Sequence, residues 1–220
     1  MKKVFLLAAA FMIGGAAYAQ TGTTGTTKFG IKAGVNLPSY KYTNDALNES
    51  EDTESSVNFN VTGYADIPVS NFFSVQPGIS LQGKGAKYRE TENYMEKEDV
   101  LAIEIPVNLL ANLPAGPGHF YLGAGPYAGF NISGKIDRDY DDGVVEADYD
   151  TDLNIGDDDG DDLKALDFGF NFLAGYQFNS GFNVGAGYGL GLTNLYPGST
   201  SDTNIEKNNR LWSFTVGYAF

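Results

Sequence analysis

Cysteine is absent from the 220 residues, histidine and tryptophan occur once each, and basic residues are half as numerous as acidic ones. Without cysteine there is neither a disulfide nor a thiolate metal site, so an exported chain of this kind must hold its fold by other means. The single histidine, His119, leaves acid–base chemistry with one imidazole to work from. Lys and Arg total 14 against 28 Asp and Glu, a formal net charge of −14. A chain of that sign repels phosphate backbones, which argues against nucleic acid as a partner. Long apolar runs are also missing, because nothing after the first twenty residues offers the roughly 20 apolar residues that a membrane-crossing helix needs. If the chain sits in a membrane, it must cross as strands closed into a barrel.

What is present begins with an address. Lys2 and Lys3 precede an apolar run over residues 4–13, and Ala17-Tyr18-Ala19 forms a small-residue site before Gln20. This predicts a cleavable helical signal peptide over residues 1–19, cut between Ala19 and Gln20, with an apolar run too short to span a bilayer. Cleavage removes two lysines and leaves 12 basic against 28 acidic residues, a net charge of −16. Residues 20–27 are rich in Thr and Gly and read as a flexible N-terminal segment. Residues 28–220 then form one domain.

Within that domain the dominant signal is alternation with a period of two, the signature of strands. It is clearest at the end of the chain. Trp212, Phe214, Val216, Tyr218 and Phe220 share one face, and Ser213, Thr215, Gly217 and Ala219 share the other. The same pattern recurs over residues 29–37, 57–67, 73–84, 101–112, 120–134, 166–178 and 182–192, giving eight strands. The connections alternate long and short. Residues 38–56, 85–100, 135–165 and 196–209 read as long polar loops, and those between them are tight turns such as Asn179-Ser180-Gly181. Membrane barrels place short turns on the periplasmic side and long loops outside.

Both a soluble carrier and a membrane barrel alternate, but they point their apolar faces in opposite directions. Here one face carries Phe, Leu, Val and Ile, and the other Gly, Asn, Ser, Thr and Tyr. An eight-stranded barrel has an interior that side chains nearly fill, so a small polar face fits inside. Leaving the apolar face in water would forfeit about 1.5–3 kcal/mol per large side chain, whereas lipid removes that cost. The expected fold is all-β: an eight-stranded antiparallel up-and-down transmembrane barrel, with Phe72, Phe73, Phe120, Tyr176, Phe178, Phe182, Tyr218 and Phe220 as a periplasmic aromatic girdle.

The stretches LAIEIPVNLL (101–110), FYLGAGPYAGF (120–130), LDFGFNFLAGY (166–176) and GLGLTNL (189–195) resemble the porin-like outer-membrane β-barrel domain family, similar in shape to OmpA/OmpX-type barrels. The likeness covers nearly all of the mature chain and rests on strand signatures, none of them catalytic. Leu173 stands where such a barrel would carry glycine. The resemblance implies residence in the bacterial outer membrane, contact with its lipid, and insertion by the barrel assembly machinery. Trp212, Phe214, Val216, Tyr218 and the terminal Phe220 would then serve as the assembly signal.

Candidate chemistry is sparse. Lys32, Lys84, Glu104 and Asp167 have inward parity and read as a polar plug in the lumen, since buried charges need partners. His119 falls at the periplasmic rim, away from the long loops, which speaks against catalysis. The third loop alternates aspartates at 137, 139 and 141, at 148, 150 and 152, and at 157, 159 and 161. Hard oxygen ligands suit calcium, and Asp157, Asp159 and Asp161 are the candidate ligands of a weak site. An EF-hand register does not fit, because Gly160 would then require an acid at Ile155 and a glutamate at Leu166. No other cofactor is implied. The expected role is non-enzymatic, an envelope or surface-interaction function carried by the long extracellular loops. A narrow solute channel is the alternative and an outer-membrane enzyme the second alternative. Water-filled channels belong to barrels of about 16–18 strands.

Overall fold

The computed structural model describes residues 25–44, 47, 49–91, 94–141, 146–158, 160–197 and 205–220. The expected signal peptide, its Ala19–Gln20 cleavage site and nearly all of the 20–27 segment lie outside them. Ten strands form: β1 (Lys28–Asn44), β2 (Glu49–Asp52), β3 (Asn58–Pro68), β4 (Phe73–Thr91), β5 (Tyr94–Ala115), β6 (Gly118–Asp141), β7 (Glu146–Asp152), β8 (Leu166–Phe178), β9 (Phe182–Gly191) and β10 (Ile205–Ala219). Eight of them, all but β2 and β7, pair antiparallel with their neighbours, and β10 returns to β1 in register from Gly30↔Ala219 to Asn44↔Ile205. The ring leaves no unpaired edge inside the bilayer, where each unmet backbone group would be costly.

Side-chain direction follows the alternation. Phe29, Ile31, Val35, Leu109, Leu122, Phe170, Phe172, Phe214 and Val216 are exposed on the outer wall, and Asn36, Asn60, Thr62, Ser74, Ser80, Asn108 and Asp167 are buried inside. Part of the expected girdle is joined by ring contacts. Phe120, Tyr176, Phe178 and Phe182 make a continuous chain of ring contacts with centroids 4.8–5.9 Å apart.

Periplasmic turns are tight. At the β8–β9 turn Gly181 adopts φ 96° and its N–H donates to the Phe178 carbonyl at 2.9 Å. A Cβ there would strike the Ala219 carbonyl, so glycine is required twice over, for conformation and for space. Inside the wall, Gly175 and Gly185 leave room for the Tyr121 ring, and Gly169 for Tyr127. Leu173 fits because its two cross-strand partners, Gly123 and Gly187, carry no side chain.

The long loops differ from the expectation. Residues 85–91 and 94–100 are strand: β4 and β5 stay paired from Lys84↔Val100 to Thr91↔Tyr94. β5 and β6 continue from Val100↔Gly134 to Tyr94↔Tyr140, and β7 adds to β6 from Lys135↔Asp152 to Asp141↔Glu146. Part of the first expected loop is likewise strand, since β1 runs to Asn44 and pairs with β2. β10 starts at Ile205, inside the expected fourth loop, whereas β9 stops at Gly191, next to the expected end at Leu192. The cause is solvent. Above the bilayer the outer face of the sheet meets water instead of lipid and takes charged residues, so the apolar alternation that marks strands disappears while backbone pairing continues.

A small core closes the extracellular mouth. Tyr40, Ala86, Val100, Leu163 and Leu195 are buried together, with Tyr42, Tyr88, Leu153 and Ile155 packed against them. Leu153, Ile155 and Leu163, which follow β7, turn inward to supply part of it. The Leu153 N–H donates to Gly134 O at 2.9 Å, the Lys164 N–H to Leu195 O at 3.0 Å and the Asn131 N–H to Ala165 O at 2.8 Å.

Candidate functional site

Three of the four expected plug residues meet. Lys84 rises from β4, Glu104 from neighbouring β5, and Asp167 reaches in from β8. The Lys84 ammonium lies 2.5 Å from Glu104 Oε1 and 2.8 Å from Asp167 Oδ2, with all three side chains almost wholly buried. Tyr127 Oη donates to the same Asp167 oxygen at 3.2 Å, and Asn209 Nδ2 approaches it at 3.5 Å. Such a cluster fixes strand positions across the lumen, and its Coulombic gain does little more than offset desolvation.

Lys32 stands apart. Its ammonium reaches Gln76 Oε1 at 3.5 Å and sits 5.5 Å from the Tyr64 ring centroid. Lys32 and Lys84 together balance Glu104 and Asp167, so these four lumen charges sum to zero. A cavity of about 50 Å³, lined by Lys32, Glu104, Asn108, Tyr121 and Leu173 among others, lies mid-lumen. A smaller one of about 10 Å³ lies toward the periplasm beside His119. Polar-lined spaces of this size hold ordered water. The lining of the His119 cavity includes no serine, threonine or cysteine to act as nucleophile.

A second buried ion pair lies above the membrane, at residues that fall within the expected loops. Lys207 Nζ is 2.9 Å and 3.1 Å from the two Glu98 oxygens, Tyr40 Oη donates to Glu98 Oε1 at 2.8 Å, and Tyr88 Oη donates to Oε2. The ammonium lies 4.1 Å from the Tyr40 ring centroid. Burial first, then the Glu98 carboxylate, raises both phenols above their usual value. Burial lowers the Lys207 ammonium, and Glu98 opposes that shift. The sequence signal for this pair was the inward parity of Glu98, two and four residues before Val100 and Ala102, which becomes readable only once β5 is known to continue.

The extended β4–β5–β6–β7 sheet has two unlike faces. One continues the lumen face and carries Tyr94 and Glu96 on β5, Ile136, Arg138 and Tyr140 on β6, and Tyr149 and Thr151 on β7, matched in register. Tyr94 Oη donates to Glu96 at 2.6 Å, and Arg138 Nε donates to the same carboxylate at 3.3 Å. Tyr140 and Tyr149 are exposed, Tyr149 by 64%. The opposite face carries charge: Lys97 pairs with Asp99 at 2.7 Å, and Lys135 with Asp137 at 2.7 Å and Asp150 at 3.7 Å. Two of the three aspartate clusters therefore lie in a β-hairpin rather than in a loop.

In the third cluster Asp159 lies outside the described residues. Asp161 Oδ2 accepts from the Asp158 N–H, and Asp162 Oδ2 from the Asn154 N–H, each at 2.9 Å. Among the described residues no three His, Cys, Asp or Glu side chains are placed to hold a metal ion. The terminal strand matches its expected geometry: Trp212, Phe214, Val216, Tyr218 and Phe220 all face outward, Phe220 by 72%, and the Phe220 N–H donates to Phe29 O at 2.8 Å.

The sequence matches the family described as outer membrane protein beta-barrel domain over residues 18–196. Among solved structures it is similar to Ail, the attachment invasion locus protein of Yersinia pestis, at 15% identity over 89% of this chain and 100% of that one, with a TM-score of 0.43. It is also similar to neisserial surface protein A, at 13% identity over 89% and 98%, TM-score 0.44. The N-terminal barrel domain of Pseudomonas aeruginosa OprF matches at 9% identity over 86% and 97%, TM-score 0.33. No curated protein matches. The chain belongs to the outer membrane protein β-barrel domain family, and its place is the bacterial outer membrane.

Proposed function

We propose that this barrel is a non-enzymatic surface-interaction protein whose working part is the sheet raised above the membrane. The observation that supports this most is one ordered sheet whose two faces differ, one with exposed Tyr140 and Tyr149 and half-buried Arg138, the other charged. Tyr and Arg are the residues most enriched at the centres of interfaces, where they supply large contact areas and directed hydrogen bonds. Lys84, Glu104, Asp167 and Tyr127 meet across the lumen, and the two spaces described in it are of the size that holds ordered water, which favours this reading over a solute channel. The cavity beside His119 is lined by no serine, threonine or cysteine, so no histidine-activated hydroxyl or thiol is assembled there, which favours it over an enzyme.

Outer-membrane lipid is the surrounding partner, and the barrel assembly machinery is the partner during insertion. Calcium binding in the third loop belongs to the same proposal, and it is weak, because Asp161 must first release the Asp158 N–H. The test of the main reading is to replace residues 136–151 by a two-residue turn and compare intact cells carrying either form for attachment to host or abiotic surfaces. Loss of attachment with unchanged barrel level supports the reading. Unchanged attachment contradicts it.

A further inference from the structure

The chain has no cysteine with which to bond one strand covalently to another, yet the buried cluster in the lumen holds the parts of a different cross-link. They converge on the Asp167 carboxyl. Lys84 Nζ, a nucleophile once it loses a proton, lies 2.8 Å from Oδ2, and Glu104 Oε1, a base, lies 2.5 Å from that same nitrogen. Tyr127 Oη donates to Oδ2 at 3.2 Å and Asn209 Nδ2 approaches it at 3.5 Å, so two donors address the one oxygen, as charge developing there would require. The other oxygen, Oδ1, is buried and among the described residues accepts no hydrogen bond. A buried carboxylate with one oxygen unheld is costly, and that oxygen is the one free to leave. The Glu98–Lys207 pair lacks this arrangement, because Lys207 with Tyr40 holds one Glu98 oxygen and Lys207 with Tyr88 the other.

We propose that Lys84 and Asp167 condense after folding into an amide that joins β4 to β8 through the lumen, with Glu104 carrying the protons. Glu104 takes a proton from the Lys84 ammonium and passes it to Asp167 Oδ1. Rotation of the carboxyl about Cβ–Cγ presents Cγ to the amine, whose lone pair forms the Nζ–Cγ bond. Negative charge collects on Oδ2 beside the Tyr127 and Asn209 donors. Glu104 then takes a second proton from the nitrogen and passes it to Oδ1, the Cγ–Oδ1 bond breaks, and Oδ1 leaves as water. One ammonium and one carboxylate become one amide and one water, and Glu104 is restored as a carboxylate that accepts from the new N–H. No oxidant or cofactor enters. The three side chains are at most 3% exposed, so bulk water is kept from hydrolysing the amide. The link also removes two charges from an interior where they do little more than offset their desolvation. Lys84 and Asp167 are 83 residues apart in sequence, so the amide closes a long loop and constrains the unfolded chain as a disulfide would.

The experiment refolds the mature chain from urea into phospholipid vesicles and follows its peptides by mass spectrometry at intervals. The unfolded chain should show no link. Folded wild type should gain a branched peptide joining the segments that carry Lys84 and Asp167, lighter than their sum by one water and located by fragmentation. Boiled wild type should then run faster on a denaturing gel than boiled Lys84→Arg, because the link survives boiling. Asp167→Ala should give no branched peptide, and Glu104→Gln should form it about a hundredfold more slowly, the low end of what a positioned proton carrier contributes. Folded, protease-resistant wild type without the branched peptide overturns the proposal. So does a link that forms in Glu104→Gln at the wild-type rate, or one already present in urea. If the variants do not fold, the presence or absence of the wild-type branched peptide decides.

Discussion

Glu98 and Lys207 lie 109 residues apart in sequence and 2.9 Å apart at the mouth of the barrel, where Tyr40 and Tyr88 donate to the same carboxylate. The pair ties β5 to β10 across the opening, and the Lys207 carbonyl accepts from the Leu195 N–H, whose carbonyl in turn accepts from the Lys164 N–H of the segment after β7. Removing one partner leaves the other charge buried, a loss of about 3–5 kcal/mol in comparable sites. Lys207→Ala should therefore expose residues 153–165 to protease added to intact cells. The double variant Glu98→Gln, Lys207→Met, which leaves no charge behind, should restore most of the protection. Unchanged protection in Lys207→Ala would show that the pair does not hold the cap.

The lumen network makes a second expectation. Lys84, Glu104 and Asp167 meet across the interior with Tyr127 beside them, and the spaces left are about 50 and 10 Å³. Reconstituted in planar bilayers, the protein should give no stable conductance steps. Reproducible large steps proportional to salt concentration would contradict a filled lumen.

The transmembrane architecture could be read from residue order because lipid and lumen impose opposite demands on alternate positions. Phe214 and Thr215 could not exchange places without putting a phenyl ring in a packed interior. The plug was legible for the same reason at Lys84, Glu104 and Asp167, which are charges on the polar face of otherwise apolar strands. Lys32 shares their parity yet lies apart from them, since parity fixes the face and not the depth or the neighbour. Above the membrane that logic ends. Glu96 and Lys97 face opposite sides of a wetted sheet, and nothing in their chemistry says so. The run of aspartates from 137 to 152 suggested repulsion and an open loop, but Asp137↔Asp150 pair in a hairpin with Lys135 between them and the solvent screening the rest.

The end of the chain is next. Phe220 is exposed to lipid and bonded through its N–H to Phe29, so it both completes the β1–β10 seam and presents the terminal aromatic. Phe220→Ala should lower the yield of folded barrel, scored as the band whose gel mobility changes on boiling. Ala219→Ser, on the inner face, should change it much less. Equal folded yields would remove any special role for the terminus.

For the third loop, calorimetry on the folded protein should detect calcium at roughly 10⁻⁴ to 10⁻³ M, the range of ligand-rich sites without a rigid cage. Asp157→Asn, Asp159→Asn and Asp161→Asn together should abolish the heat. An absence of heat from wild type at millimolar calcium, or equal heat from the triple variant, would leave the loop as a solvated acidic segment.

The central claim is that the residues above the membrane form one ordered sheet rather than a set of loops. Amide hydrogen exchange of the protein in lipid nanodiscs reads this directly, because paired backbone groups exchange slowly and loop groups do not. Residues 84–91, 94–100 and 134–141 should be protected well beyond loop rates, though less than the strands within the bilayer, and β7 should be the least protected of the sheet. Exchange at loop rates throughout those three stretches would contradict the account.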